Sequence, residues 1–353
     1  MEKSIMWEYI KQEKDILLKL IESKSIEKEC SDLYGLKKMH IIAHGSSYNA
    51  ANAIAPFIMK YAHIDVQVYT PSNFKFNMNL LENEDRNSTI LCAISQTGTS
   101  RGVIEVIQTI KPLGFKVISI TSVPESPIAN LGDYCLNLSC GEENSNAKTK
   151  GYSCSLVVLM LMGLQLAKNN SLINDEEIAE IISSLIKEIQ TFDEISKETI
   201  NWCKEKEYGK QMNHLFVIGN GMNYATALEG QLKLMETVCI PTMSSDIEEF
   251  SHGMHRALKN DSYVIMINTD LDADLMASTY DYLEDKGINV FMIDCNRLNR
   301  KNSIQLEYNI YDQSILAITL VIQIISTYVP EIQNEDPNRN ANDDYTSWVK
   351  TRV

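Results

Sequence analysis

Glu229, Lys233 and Glu236 stand at i, i+4 and i+7 in the segment NYATALEGQLKLMETV. A helix would bring all three to one face. A carboxylate flanked by a lysine is equipment for a general base, although the same spacing also describes an ordinary ion pair on a solvated helix. The position favours chemistry. The segment follows Gly219-Asn220-Gly221 at the end of the apolar run Leu215 to Ile218, where doubly wound sheets place their ligands. His252, in IEEFSHGMHR, is one of six histidines. Alone it is more often structural, and His255 is read that way.

Two further turns are rich in hydroxyls. His44-Gly45-Ser46-Ser47 and Ser95-Gln96-Thr97-Gly98-Thr99-Ser100 each sit between an apolar strand and a helix. Such turns offer O–H and N–H groups and the positive end of a helix dipole to one phosphate. Each taken singly more often just caps its helix, and neither is a Walker loop or a dinucleotide fingerprint. A third segment, CGEENSNAKTKGYS from Cys140 to Ser153, mixes acids, amides and two lysines. It is either part of a site or a solvated loop.

The elements needed to hold these residues alternate. Strands are expected at Met39 to Ala43, Asp65 to Tyr69, Thr89 to Ile94, Lys116 to Ile120 and Tyr134 to Leu138, and again at Leu215 to Ile218, Tyr263 to Ile267, Asn289 to Ile293 and Tyr308 to Tyr311. Helical stretches lie between them. Unbroken apolar strands separated by helices indicate parallel sheets covered on both faces. IIAHGSSYNAA and VIGNGMNYATA repeat at an offset of 176 positions, with Gly45 matching Gly221. The expected fold is therefore α/β, with two tandem doubly wound, flavodoxin-like domains at 39–170 and 214–330. An N-terminal helix (1–38), a helical connector (171–213) and a tail (331–353) complete the chain.

Composition bounds the partners. Of 353 residues, 32 are Lys or Arg and 47 Asp or Glu, giving a net charge of −15. That balance disfavours nucleic acid and anionic membrane surfaces, but not a small anion held by hydroxyls and helix starts. The eight cysteines are scattered, without a C-x-x-C pair, and the histidines do not cluster. Neither a zinc site nor a disulfide framework is expected, and a cytoplasmic location follows. The apolar stretches Leu156 to Ala167 and Ile315 to Ile325 fall short of the ~20 residues that span a bilayer and read as core helices.

From about Met39 to the C-terminus the chain resembles the tandem sugar isomerase (SIS) domain proteins. These include the isomerase half of glutamine:fructose-6-phosphate aminotransferase, the fructosamine-6-phosphate deglycases and the SIS-type glucosamine-6-phosphate deaminases. HGSS resembles the family's C-G-T-S turn and SQTGTS its S-Q-S-G-E-T turn. The resemblance implies phosphate contacts from Ser47, Ser95, Gln96, Thr97 and Ser100, with Ser46 in the same first turn. GEENSNAKTKG resembles G-x-E-x-x-V-A-S-T-K, which places Asn146 and Ala147 at the sugar-phosphate loop. ALEGQLKLMETV resembles A-L-E-G-A-L-K-L-K-E, which makes Glu236 the catalytic base, with Glu229 and Lys233 around the sugar. SHGM resembles K-H-G-P, which gives His252 the place of a ring-opening histidine that acts across a dimer interface.

The sequence also departs from the family pattern. His44 stands for Cys, Asn146 for Val and Met254 for Pro. The tail EDPNRNANDDYTSWVKTRV replaces a D-x-P-R-x-L-A-K ending, and Lys350 is the closest match to its lysine. The chain opens Met1-Glu2 without a cysteine nucleophile, so a glutaminase domain is expected to be absent. The resemblance implies an enzyme that is a homodimer or higher homo-oligomer, free of metal or redox cofactor, acting on an amine-bearing hexose 6-phosphate. Deglycase chemistry ranks first, then deamination or simple aldose/ketose isomerisation; a sugar-phosphate sensor is the non-enzymatic alternative.

Overall fold

The protein is described by a computed structural model covering residues 4–353. Helices α1 (Ile5–Glu22) and α2 (Ser25–Glu29) lead into β1 (Lys38–Ile42), α3 (Gly45–Ala62), β2 (Asp65–Tyr69), α4 (Pro71–Phe76), β3 (Thr89–Ile94), α5 (Arg101–Ile110), β4 (Lys116–Thr121), α6 (Pro127–Leu131), β5 (Tyr134–Asn137) and α7 (Lys150–Asn169). Helices α8 (Asp175–Gln190) and α9 (Phe192–Glu205) follow. The alternation then restarts with β6 (Leu215–Ile218), α10 (Met222–Thr237), β7 (Thr242–Ser245), α11 (Ile247–Ser251), β8 (Tyr263–Asn268), α12 (Ala273–Asp285), β9 (Asn289–Asp294), β10 (Ser303–Gln305), α13 (Ile315–Ile332) and α14 (Tyr345–Trp348).

Two compact units result, and they do not follow sequence order. The first contains 15–142, 150–182 and 342–353; the second contains the segment ending at Lys14, then 143–149 and 183–341. In the first unit the sheet runs β2-β1-β3-β4-β5, all parallel. In the second it runs β10-β9-β8-β6-β7, again all parallel. Read from the other edge this is the same order, 2-1-3-4-5, the flavodoxin-like winding. Each sheet's central strand, TILCAI in β3 and YVIMIN in β8, is buried along its whole length, as a strand covered by helices on both faces must be.

The two apolar stretches form α7 and α13, long and apolar enough to cross a membrane but each with 89% of its apolar window buried inside the protein. In the first unit α7 packs along α3; in the second α13 packs along α9 and α10. They are core helices.

Two details correct the sequence expectation. Tyr308 to Tyr311 is not a strand. There the Asn309 side chain donates to Glu188 Oε2 (2.8 Å) and accepts from the Tyr311 amide (3.1 Å), folding the chain into the turn that starts α13. The outer strand is instead β10. At the opposite edge, β7 is TMSS, whose hydroxyl-rich sequence carries no apolar alternation to announce it.

Candidate active site

Helix α10 leaves β6 through a tight passage. A Cβ on Gly219 would lie 2.4 Å from the backbone oxygen of Asn223, so only glycine lets strand and helix approach this closely. At the helix start the Met222 amide donates to Gln313 Oε1 (3.1 Å), satisfying one of the donors a helix leaves open. Gly230 faces Val217 of β6 and Ile322 of α13, which sets how the helix lies on the sheet.

That seating takes Glu229 and Lys233 out of water: their side chains are 1% and 0% exposed, with Lys233 Nζ 3.1 Å from Glu229 Oε1. The contact is a buried ion pair. Desolvation alone would lower the lysine's hold on its proton. Glu229, Glu236 and Glu143 outweigh it and hold Lys233 above its ordinary value, so the ammonium stays charged.

Glu236, one turn further on, keeps solvent access, yet protein crowds it enough to exclude much of the bulk water. Desolvation is the largest influence and raises its carboxyl to about 7; Glu229 adds to the rise, while Lys233 and Lys148 oppose it. A carboxyl poised there exchanges its proton readily near neutrality. The structure thus brings Glu229, Lys233 and Glu236 together.

Segment 143–149 belongs to the same unit. Glu143 Oε1 accepts from the Thr149 amide (2.9 Å), and Lys148 Nζ donates to the carbonyls of Glu143 (2.8 Å) and Ser145 (2.9 Å). Asn146 is exposed and its amide donates to Asn338 Oδ1 (3.1 Å); Ala147 is fully buried. Arg339, the residue after Asn338, places its fork on the last carbonyls of α10, with Nη1 to Thr237 O and Nη2 to Val238 O, each at 2.7 Å. A cation on those carbonyls is favoured by the helix dipole. Sequence reasoning missed Lys148, Glu143 and Arg339. Arg339 lies in the quoted tail, but only the fold shows that it meets α10.

The hydroxyl turns lie in the first unit and converge there. A Cβ on Gly102, at the start of α5, would sit 3.2 Å from His44 Nε2, and one on Gly151, at the start of α7, would sit 2.3 Å from Gln96 Oε1. The first turn therefore adjoins the helix start of the second, and the Gln96 side chain reaches α7. Burial, with Lys75 nearby, holds His44 below its ordinary value. Gly98 adopts a left-handed φ of +68° with Ser126 Oγ 1.9 Å from where a Cβ would be, so the second turn requires glycine. The Gln96 carbonyl is fixed by Ser122 Oγ (2.7 Å) and Thr121 Oγ1 (3.2 Å), and Thr97 Oγ1 pairs with Thr99 Oγ1 (3.0 Å). Ser46 and Ser47 occupy the first turn of α3. Ser95 is buried at the end of β3, and Ser100 precedes α5 without a side-chain capping bond.

Two predicted residues are exposed. His252 is exposed at the end of α11, its Nδ1 2.7 Å from Glu248 O. Among the described residues no hydrogen bond or ion pair joins it to Glu236. Lys350 is exposed in the tail of the first unit.

A duplicated flavodoxin-order α/β protein, with hydroxyl turns at the helix starts of one copy and a buried lysine-carboxylate face in the other, is the class that fold and side chains define. The chain belongs to the SIS domain family, whose model matches residues 32–165 and 210–326. It is 28% identical over 276 residues to the glutamine–fructose-6-phosphate aminotransferase (isomerizing) of Clostridium acetobutylicum, an alignment covering 77% of this chain and 44% of that enzyme. The chain thus spans less than half the length of that relative. Among solved structures, a provisionally assigned phosphosugar isomerase from Clostridium difficile superposes with a TM-score of 0.90 over 99% of both chains at 25% identity. The C-terminal domain of glucosamine-fructose-6-phosphate aminotransferase from Francisella tularensis superposes at 0.86 over 96% of this chain and 98% of that one, at 23% identity.

The electrostatics around Glu236 are directly measurable. In a carbon-13 NMR titration of the side-chain carboxyls, assigned with Glu236→Gln, the Glu236 midpoint is expected at about 7. Lys148→Met removes an opposing cation, so the midpoint is expected to move up. A midpoint at the ordinary glutamate value of 4.5, unmoved by the Lys148 change, would refute the assignment.

Proposed function

We propose that the protein is an enzyme acting on an amine-bearing hexose 6-phosphate, and that it hydrolyses a fructosamine 6-phosphate to glucose 6-phosphate and the free amine. The observation that carries this is a carboxyl raised to about 7 beside a fully buried lysine on α10. The phosphate goes to Ser46, Ser47, Ser95, Gln96, Thr97 and Ser100, and the sugar to the segment of Asn146 and Ala147. His252 exchanges protons with the ring oxygen and a hydroxyl during opening. In the open ketosamine, Glu236 removes a proton from C1 and the electron pair delocalises onto the C2 oxygen. The proton then returns to C2 as the nitrogen lone pair forms the C1=N bond, and the proton lost from nitrogen is taken up by the C2 oxygen, which becomes a hydroxyl. The product is an aldimine at C1, and water hydrolyses it to the aldehyde and the amine. Glu229 keeps Lys233 charged, and that charge steadies the enolate-like oxygen. Lys350 is assigned to ring opening or imine handling.

Amine transfer from glutamine calls for a reactive cysteine, and four of the chain's eight, all buried, are poorly suited to that role. Burial pushes the thiols of Cys30, Cys92, Cys203 and Cys295 up, away from the thiolate such a transfer needs. A cytoplasmic location goes with this activity, since phosphorylated sugars are found there.

The exposed position of His252, with no bond to Glu236 among the described residues, is accounted for by a homodimer in which His252 of one copy serves Glu236 of the other. Neither Glu236→Gln nor His252→Ala alone should turn over substrate. Mixed, and allowed to exchange subunits, the two should recover about a quarter of wild-type activity, since half the dimers are mixed and each has one intact site. No recovery would place both residues in one chain's site.

The reaction itself is tested by incubation with fructoselysine 6-phosphate and with glucosamine 6-phosphate. The expected result is glucose 6-phosphate from the first, abolished by Glu236→Gln. Fructose 6-phosphate and ammonia from the second alone would make the protein a deaminase. Turnover of neither, with sugar phosphates still raising the melting temperature, would make it a sensor.

A further inference from the structure

The last residues of the chain pair with the second hydroxyl turn. The Arg101 amide donates to Thr351 O (3.0 Å), the Val353 amide donates to Thr99 O (3.1 Å), and Ser100 and Arg352 form the antiparallel bridge between these bonds. Both partners lie in the first unit. In this pattern Ser100 and Arg352 are a non-hydrogen-bonded pair, the arrangement that brings opposing side chains closest and puts them on one face. Arg352 is therefore held beside Ser100, the residue that opens α5.

Neither side chain is committed elsewhere. Among the described residues, the Ser100 hydroxyl makes no hydrogen bond and the Arg352 guanidinium makes neither a hydrogen bond nor an ion pair. Three of the seven arginines pair with carboxylates, Arg101 with Glu105, Arg300 with Asp281 and Arg339 with Glu335; among the described residues Arg352 does not, which leaves its charge available to a ligand. A small carboxylate or hydroxyl can be met by O–H and N–H groups alone. A dianionic phosphate gains from a planar cation that binds two of its oxygens at once.

We propose that Arg352 is the cationic arm of the phosphate site, delivered to the hydroxyl turn by the C-terminal strand. This rests on the phosphate assignment made above. The tail then has two effects of opposite sign. Thr351 O occupies the first amide of α5, withdrawing one N–H from the anion, and Arg352 replaces it with a full charge. The amides of Gly102 and Val103, the next two in the helix, remain the backbone donors that a helix start offers.

Calorimetric titration of the full-length protein with inorganic phosphate and with fructose 6-phosphate tests this. Arg352→Ala is expected to bind both about tenfold more weakly, with Arg352→Lys between it and the wild type, because a lysine restores the charge without the fork. The wild type should lose affinity more steeply than Arg352→Ala as salt rises. Arg352 is exposed, so the ligand-free melting temperature should be unchanged, and Ser100→Ala serves as a comparison within the turn. If the wild type binds phosphate, Ser100→Ala weakens it and Arg352→Ala does not, the arm is disproved while the phosphate site stands. If the wild type binds neither ligand, the phosphate assignment fails and the arm with it.

Discussion

An ammonium with no solvent exposure keeps its proton only if neighbouring anions replace the water it has lost. Lys233 is in that position, and the second unit is organised around it. Glu229 lies one helical turn before it and Glu236 roughly one turn after, and Glu143 arrives on a segment whose flanks in sequence belong to the other unit. Taking away Glu229 would leave the lysine without its direct counterion, a change that typically costs about 3–5 kcal/mol at buried pairs. The same low-dielectric surroundings lift Glu236 to about 7. Loss of water thus acts on both groups, while the Lys233 charge itself pulls the Glu236 carboxyl back down.

Under the proposed function the first unit meets an anion by different means. A protein with a net charge of −15 repels a phosphate at long range, and contact forces must overcome that field. Its hydroxyl turns are stiffened for this: Gly98 closes on Ser126, and the Gln96 carbonyl is held by Thr121 and Ser122. Rigid donors need no reorganisation when the anion arrives. The second copy of the fold has lost these hydroxyls. Where the first turn has Ser46 and Ser47 the repeat has Met222 and Asn223, and the Met222 amide is already taken by Gln313. Duplication supplied two frameworks, and only the first carries the hydroxyl-rich turns.

Much of this was legible in the sequence because it is written locally. Apolar runs such as ILCAI and the repeat at IIAHGSSYNAA and VIGNGMNYATA expose strand, turn and helix within a dozen residues, and the i, i+4, i+7 spacing of Glu229, Lys233 and Glu236 survives as a real face of α10. What escaped has long-range causes. Strand β7 is short and polar at a sheet edge, and the turn around Asn309 depends on Glu188 from a distant helix. The contact of Arg339 with α10 joins residues about a hundred positions apart, and the pairing of Arg352 with Ser100 spans most of the chain. Neither leaves a periodic trace. The exposure of Glu236 would not have suggested a raised carboxyl, because crowding around a solvent-reachable group is a property of the folded surface alone.

The central claim is that Glu236 carries a proton between adjacent sugar carbons. Incubating the protein with fructose 6-phosphate in deuterium oxide and following the C1 protons by NMR tests it without knowledge of the amine. The account predicts that deuterium enters C1 with the wild type and does not with Glu236→Gln. It also predicts that exchange accelerates as pH rises through about 7, since the carboxylate is the competent form. Deuterium entering equally fast with Glu236→Gln, or exchange independent of pH across that range, would contradict it.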